Sequence, residues 1–199
     1  ILYKHFVDSC MAVPVLENEQ EDGHALSLID IGTGAGFPGV PLKIVMPNLK
    51  ITLLDSLNKR IEFLRETGKE LEFKNVHYIH SRAEDGLSLK GNMDRQILRE
   101  SFDAGVSRAV TTLPVLLEYC LPYIRVGGVF IAYKSGSIDE EMESSNKALT
   151  LLGGIIERMI SYELPEGSGS RKLIIVRKSH ETPKRYPRKA GIPQRKPLI

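Results

Sequence analysis

The sequence predicts an α/β protein built on a mostly parallel sheet. Short apolar runs rich in β-branched residues alternate with longer amphipathic stretches along most of the 199 residues, which is the pattern of repeated strand–helix units. Hydrophobic residues make up 42% and charged residues 26% of the chain, a globular composition that disfavours disorder, collagen and coiled coil. At this length we expect one domain with a modest extension.

Seven strands are predicted in order along the chain. The first five alternate with helices, and we place them at residues 26–31, 50–54, 76–80, 102–107 and 129–134. Two more, at residues 154–163 and 172–177, are separated by a segment with Pro165, Gly167 and Gly169, which is typical of a turn. The last two strands should therefore form an antiparallel hairpin at the end of a seven-stranded, otherwise parallel sheet.

Helices are predicted between the strands. The clearest covers residues 58–72, where apolar residues recur along one stripe and charges occupy the rest. We expect Asp55 or Ser56 to cap its N-terminus. Two further helices are placed at residues 113–121 and 137–152. The polar segment at residues 90–100 is predicted to be an insertion and is assigned no role.

The net charge of +2 conceals an uneven distribution. Residues 171–199 contain ten Lys or Arg and one acidic residue, against 17 and 24 in residues 1–170. Prolines are also frequent near the C-terminus, and they favour extended chain over helix or strand. We therefore expect a folded domain over residues 1–178 and a basic, Pro-rich tail over residues 179–199 that does not pack into the core. Such a tail favours a polyanion as partner, and a solubilising, disordered end is the alternative.

Several function classes are disfavoured by composition. The only two cysteines, Cys10 and Cys120, are too few for a disulfide framework or a structural zinc site. No apolar run reaches the roughly 18 residues of a membrane span, and residues 1–10 do not resemble a secretory signal. The five His residues show no clustering of the kind that metal ligands have. We expect a cytoplasmic protein with no membrane association and no bound metal.

The most specific local signal is the segment DIGTGAGFPG at residues 30–39, directly after the first predicted strand. Glycines in such a turn let a ligand approach the backbone closely, at the edge where open α/β sheets bind nucleotides. The alternative without a ligand is a tight strand-to-helix turn.

Two cofactor classes fit this loop. Gly34, Gly36 and Gly39 satisfy the dinucleotide fingerprint GxGxxG. Counted from Asp30, the pattern DxGxGxG instead resembles the first motif of the methyltransferases that depend on S-adenosylmethionine (SAM). This second interpretation uses more of the residues, because a carboxylate at Asp30 would favour the ammonium and sulfonium charges of SAM. It also includes Gly32.

Residues at the ends of the later strands are further candidates. Asp55 ends the second strand, where it would accept hydrogen bonds from ribose hydroxyls or cap the next helix. Ala83 and Glu84 follow the third strand, and Arg108 ends the fourth. Carboxyl ends of parallel strands share one edge of a sheet, so these residues should surround one ligand. The alternative for Arg108 is a solvated charge at the rim. Lys134 ends the fifth strand in the same way.

Taken together, these segments resemble the RsmG family, also called GidB. The similarity rests on HFVDS, DIGTGAGFPGVP, LDSL, SRA and KSG, in that order and with similar spacing, and it extends to YPRKAGIP in the tail. It spans nearly the whole chain, and its GTGAGFPGVP signature is far more specific than a glycine triplet. Family members usually carry a helical segment ahead of the region of His5, and we expect this segment to be missing here.

The resemblance implies a Rossmann-like, SAM-dependent methyltransferase fold. It implies methylation of N7 of a guanosine in 16S (small-subunit) ribosomal RNA, with S-adenosyl-L-homocysteine as product. The partner would be 16S rRNA or the small ribosomal subunit, and the enzyme a monomer. The implied cofactor contacts are Gly32, Phe37, Ala83, Glu84 and Arg108, which join Asp30, Gly34 and Asp55 from the motif.

No catalytic side chain is assigned, because guanine N7 has a free lone pair and no proton to remove, so it needs no general base. We therefore expect no essential His or Cys, and ordinary structural or solvated roles for the five His residues. The alternatives are a SAM-dependent methyltransferase acting on another RNA, a protein or a small molecule, a nicotinamide-dependent oxidoreductase, and an RNA-binding module that uses the tail alone.

Overall fold

Seven strands lie in one sheet in the computed structural model, which describes residues 2–20, 24–87, 98–108 and 111–199. In chain order the strands are β1 (Ser27–Ile31), β2 (Lys50–Asp55), β3 (Val76–His80), β4 (Phe102–Arg108), β5 (Ile124–Ser135), β6 (Gly154–Leu164) and β7 (Gly169–Lys178).

The strand order is β3-β2-β1-β4-β5-β7-β6. Neighbouring strands from β1 to β5 are parallel, whereas β7 is antiparallel to both β5 and β6. The predicted α/β class, the parallel sheet and the antiparallel C-terminal hairpin are therefore confirmed.

Strand β5 begins five residues earlier than predicted. Phe102 pairs with Ile124 but Ala104 pairs with Val129, so the register shifts between them and an irregular stretch lies inside the strand. Gly127 has a φ of +85° in this stretch. The Gly127–Gly128 pair resembles a strand break in the sequence, but here it forms an irregularity that the strand passes through.

The helices fill the connections between the strands. After a π-helical turn at Leu2–Val7 they are α1 (Asp8–Cys10), α2 (Val13–Asn18), α3 (Gly39–Val45), α4 (Asn58–Glu70), α5 (Ala83–Gly86), α6 (Leu113–Cys120), α7 (Asp139–Ser144), α8 (Asn146–Leu152) and α9 (Ile192–Arg195), with a 3-10 turn at Leu121–Tyr123 between α6 and β5.

Two helices differ from the prediction. The helix expected over residues 137–152 is divided into α7 and α8 at Ser145, whose hydroxyl donates to the carbonyl of Glu141. Helix α4 ends two residues early, because Glu72 adopts a positive φ of 52° that an α-helix cannot contain. Its N-cap position is Leu57, so neither Asp55 nor Ser56 is the cap.

The sheet separates two apolar cores. Alternate residues of β1 face opposite layers: Ile29 belongs to the core under α6 and α8, and Leu28 to the core under α2, α3 and α4. Burial on both faces explains why central strands such as β1 and β2 appear in the sequence as largely apolar runs. It also leaves the carboxyl ends of β1, β2 and β4, with the loops that follow them, as the place where polar groups collect.

The C-terminal tail corrects the sequence analysis. Tyr186 and Leu198 are only 6% and 8% exposed and belong to the core under α6 and α8. Arg188 forms an ion pair with Glu118, whose side chain is completely buried. The expectation that this segment does not pack into the core is therefore wrong. Prolines prevent helix and strand, but they do not prevent a chain from docking through separate side chains.

Residues 88–97 lie outside the described part of the chain, so most of the predicted insertion at residues 90–100 does too. Among the residues that are described, no helix is long and apolar enough to cross a membrane.

Candidate cofactor-binding cleft

The glycine-rich loop joins the end of β1 to the start of α3. Gly32, Gly34 and Gly36 have φ values of +73°, +62° and +96°, a region that side chains other than glycine rarely adopt. At Gly36 space is also lacking, since a Cβ there would lie 2.5 Å from Cγ2 of Val40. The sequence of alternating glycines is thus required by the path of the backbone.

Asp30 holds this loop from behind. Its Oδ2 accepts hydrogen bonds from the Thr33 hydroxyl at 2.7 Å and from the backbone N–H of Gly39 at 2.9 Å. The side chain is completely buried, and burial raises the pKa of this carboxyl to about 7, against the opposing effect of the two hydrogen bonds. Asp30 therefore joins both ends of the loop.

Asp55 holds the loop from the neighbouring strand. Its Oδ2 accepts the backbone N–H of Gly34 at 2.9 Å and lies 3.3 Å from Nη1 of Arg60, while Oδ1 accepts the N–H of Leu57 at 2.9 Å. Carboxylate oxygens have spare lone pairs, so both remain able to accept a further hydrogen bond. This carboxylate fixes the loop and also faces the space in front of it.

That space is a cleft of about 830 Å³ at the carboxyl edge of the sheet. Seven of the eight predicted site residues line it: Gly32, Gly34, Phe37, Asp55, Ala83, Glu84 and Arg108. The eighth, Asp30, is not part of the lining and lies behind the loop. The roles of all eight toward a cofactor stay predictions, but the grouping of seven around one space is a fact of the fold.

Arg108 is held at one end of the cleft. Its side chain is 14% exposed, its Nη1 pairs with Asp8 Oδ2 at 2.9 Å, and its Cζ lies 5.2 Å from the centre of the Phe37 ring. The Tyr162 hydroxyl donates to the other oxygen of Asp8 at 2.7 Å. The alternative of a solvated rim charge is therefore wrong: the guanidinium is fixed between a carboxylate and an aromatic face.

His5 lies at the same end of the cleft as Arg108, although only a structural or solvated role was predicted for it. Its ring centre is 5.1 Å from that of Phe37, and its Nδ1 is 3.2 Å from Nη2 of Arg108. Burial, followed by the charge of Arg108, lowers the pKa of this imidazole. The neutral ring is thereby favoured at neutral pH. The signal in the sequence was its place in HFVDS, the segment that contributed to the family resemblance.

At the other end of the cleft Glu84 is held by the docked tail. Its Oε1 accepts the backbone N–H of Gly191 at 2.9 Å. Burial, with the nearby charge of Glu84, raises the pKa of Tyr119 to about 12. Tyr119, Gly191 and Gln194 also line the cleft. They were not predicted from the sequence, because Tyr119 lies on α6 and the other two lie in the docked tail, so none of them follows a strand of the sheet.

Two other expectations concern charged groups. Lys134 lies outside the lining: its ammonium donates to the carbonyl of Thr111 at 2.7 Å and pairs with Glu141 at 2.6 Å. Within the described ranges no three His, Cys, Asp or Glu side chains are grouped so that they could hold a metal ion.

Several solved structures with a similar fold are methyltransferases. The chain is similar to a SAM-dependent O-methyltransferase from Thermotoga maritima, with a TM-score of 0.62 and 15% identity over 89% of this chain and 67% of that one. An rRNA methylase from Streptococcus thermophilus gives a TM-score of 0.57 and 18% identity over 85% and 95% of the two chains. At these identities the likeness shows the Rossmann-like fold of SAM-dependent methyltransferases.

Sequence relatives are much closer. Ribosomal RNA small subunit methyltransferase G of Acetivibrio thermocellus is 49% identical over the whole of this chain and 77% of its own length. The protein of the same name from Staphylococcus carnosus is 45% identical over the whole chain and 79% of its own length. The sequence profile of GidB, described as rRNA small subunit methyltransferase G, matches residues 1–173. With that extent of similarity, the chain belongs to the rRNA small subunit methyltransferase G family, as the motifs predicted.

Proposed function

We propose that this protein transfers a methyl group from SAM to N7 of a guanosine in 16S ribosomal RNA. The observation that carries the proposal is the cleft between the glycine loop and Asp55, in a chain that belongs to a family of rRNA small-subunit methyltransferases. The product of the cofactor would be S-adenosyl-L-homocysteine.

The residues of the cleft fit this cofactor. Its volume of about 830 Å³ lies in the range of small-molecule sites. Asp55 offers a carboxylate to ribose hydroxyls, and the left-handed glycines leave the loop backbone open to close approach. Bound SAM supplies an electrophilic methyl group on a positively charged sulfur.

Positioning is what this chain would contribute to the reaction. The N7 lone pair lies in the plane of the base and carries no proton, so no side chain has to act as a base. Holding two reactants in line is worth about 7–11 kcal/mol of the barrier by effective-molarity arguments. Phe37 and the fixed Arg108 guanidinium provide rigid surfaces for that purpose at one end of the cleft.

The charges around the cleft suit a product base that carries a positive charge. Arg108 is compensated by Asp8 at 2.9 Å, and the lowered pKa of His5 favours its uncharged form. The carboxylates of Asp55 and Glu84 face the same space. A cationic guanine held next to these four groups would therefore meet compensated or negative charges, which favours the charged product electrostatically.

Exposed basic residues around the cleft support RNA as the substrate. Arg60 and Arg82 line it and are exposed, and Lys189 and Arg195 are exposed in the tail next to the lining residues Gly191 and Gln194. Positive side chains in such a position attract a phosphate backbone.

We further propose that the protein acts as a cytoplasmic monomer. Its two thiols are unpaired, as is usual in a reducing compartment.

The test is methylation with SAM labelled in its methyl group. The protein is incubated with naked 16S rRNA and, separately, with small ribosomal subunits, and the RNA is digested to nucleosides for mass spectrometry. We expect label in 7-methylguanosine with at least one of the two substrates. Label in another nucleoside would contradict the N7 assignment. Labelled protein or no label, in a sample that binds SAM, would contradict the RNA substrate.

A further inference from the structure

The docking of the C-terminal tail depends on a buried ion pair and two apolar anchors. Glu118 on α6 accepts the backbone N–H of Arg188 at 2.8 Å and its Nη2 at 2.6 Å. Glu118 is completely buried, so it depends on Arg188 for neutralisation. Tyr186 and Leu198 insert into the core on either side of this pair in the sequence. The anchors fix the path of the tail between them.

The segment between these anchors reaches the cofactor cleft. Gly191 has a φ of +77°, and its N–H donates to Glu84 Oε1 at 2.9 Å across 107 residues of sequence. Gly191 and Gln194 line the cleft beside Ala83 and Glu84. Two residues of the docked tail therefore form part of the cleft wall.

We propose that this docked tail is a positioning element of the cofactor site, and that cofactor binding and tail docking strengthen each other. The Gly191 N–H holds Oε1 of the Glu84 carboxylate at 2.9 Å, so that the docked tail sets the orientation of this side chain at the cleft before the cofactor arrives. The proposal rests on the proposed function, since it takes the cleft to be a SAM site.

The coupling follows from linkage. A group that forms part of a binding site only when the tail is docked gives the cofactor a higher affinity for the docked state. The cofactor then stabilises docking by the same factor by which docking raises cofactor affinity. Both directions can be measured with S-adenosyl-L-homocysteine (SAH), which undergoes no methyl transfer.

The first experiment measures SAH binding by calorimetry, at a temperature where each variant is shown to be folded by circular dichroism. A chain that ends at Ala190 should bind SAH at least tenfold more weakly than the full chain. Gly191→Ala, which strains the positive φ and displaces the N–H, should weaken binding several-fold. Lys184→Ala is the matched control, because this exposed tail residue lies outside the cleft lining, and it should leave the affinity unchanged.

The second experiment tests the reverse direction in the full chain. Trypsin should cut after the exposed Lys189, and saturating SAH should slow this cut several-fold more than it slows the cut after Lys74. Lys74 is exposed in the connection between α4 and β3, so it reports any general stabilisation. Equal slowing at both sites would contradict the coupling.

The outcomes separate this proposal from the proposed function. If the full chain binds SAH and the folded shortened chain and Gly191→Ala bind it equally well, the coupling is overturned and the cofactor site stands. If the full chain does not bind SAH, the cofactor site and the coupling are both overturned.

Discussion

At the residue scale, Asp30 is completely buried and holds the glycine-rich loop through hydrogen bonds from Thr33 and Gly39. Its hydrogen bonds from Thr33 and Gly39 favour the charged form, but burial opposes them and prevails, so its pKa rises from 3.8 to about 7. The residue acts on the cleft through the loop and not as part of the lining.

This pKa predicts how stability depends on pH. Because the folded state holds the proton more tightly than the unfolded state, the stabilisation from Asp30 is fully present below pH 4 and is lost as the pH rises to 7. One unit of pKa shift corresponds to about 1.4 kcal/mol, so the loss is on the order of 4 kcal/mol. The variant Asp30→Asn has no carboxyl at this position and should not show this loss of stability. In urea unfolding, its stability relative to the wild type should therefore rise between pH 4 and pH 7.

The matched control is Glu140→Gln, which removes an exposed carboxyl from α7. Its unfolding free energy should follow the wild-type curve over the same pH range. Parallel curves for Asp30→Asn and the wild type would contradict the raised pKa of Asp30.

Asp55 is the residue with the largest expected effect on the cofactor. Three groups use its carboxylate, namely the N–H groups of Gly34 and Leu57 and the guanidinium of Arg60. A hydrogen bond to a charged group contributes about 1.5–3 kcal/mol, so Asp55→Ala should weaken SAH binding by a factor of about 10 to 100 or more, measured by calorimetry. Glu62→Ala, on an exposed position of α4, is the control. An unchanged affinity for Asp55→Ala would remove this carboxylate from the site.

At the element scale, a glycine of the loop after β1 and a glycine after β5 should differ in how much stability the protein loses when each is replaced by alanine. Gly36 and Gly136 both have positive φ values, of +96° and +74°. An added Cβ at Gly36 would meet Val40 and Leu64 at under 3 Å, whereas at Gly136 no described atom lies within 4 Å. Backbone strain alone costs about 1–2 kcal/mol, and overpacking adds about 1–3 kcal/mol.

We therefore expect Gly36→Ala to lower the unfolding free energy by about 2–5 kcal/mol and Gly136→Ala by about 1–2 kcal/mol. Urea unfolding of the two variants measures both. Equal losses would contradict the expected clash of a Cβ at Gly36 with Val40 of α3 and Leu64 of α4.

The elements also show what the sequence can predict. Strands β1, β2 and β3 were placed to within one residue. For β1 and β2 the reason is that buried parallel strands are largely apolar runs between clear breaks, whereas β3 is a partly exposed edge strand. The start of β5 was missed because Gly127 and Gly128 resemble a break, and only the pairing with β4 shows that the strand continues. The division between α7 and α8 at Ser145 was likewise missed, because residues 137–152 contain no Gly or Pro that would mark it.

The candidate site divides in the same way. Seven predicted residues meet at the cleft because strand ends and their loops are close in an α/β sheet, and that rule needs no long-range information. This rule does not predict Tyr119, Gly191 or Gln194. Tyr119 reaches the cleft from α6, and the other two reach it through the docked tail. Docking of the tail depends on the pairing of Arg188 with Glu118, 70 residues away in the sequence.

At the scale of the whole molecule, the charge of the tail has two separate uses. Arg188 forms an ion pair with the buried Glu118, whereas Lys184, Lys189 and Lys196 are exposed. If the exposed lysines contact phosphates, each contact releases counterions and adds about 0.7–0.9 to the slope of log affinity against log salt. Docking would then hold these charges at fixed places on the surface instead of on a free chain.

Replacing these three lysines together by glutamine should reduce that slope by about 2–3 for 16S rRNA, and it should leave SAH affinity unchanged because none of them lines the cleft. The control replaces Lys50, Lys69 and Lys74, which are exposed and lie at the start of β2, at the end of α4 and before β3. These positions belong to the amino edge of the sheet, opposite the cleft, so the same loss of charge should leave the slope nearly unchanged. Filter binding at several salt concentrations measures both triple variants. Equal reductions would show that RNA responds to total charge and not to the place where the docked tail presents it.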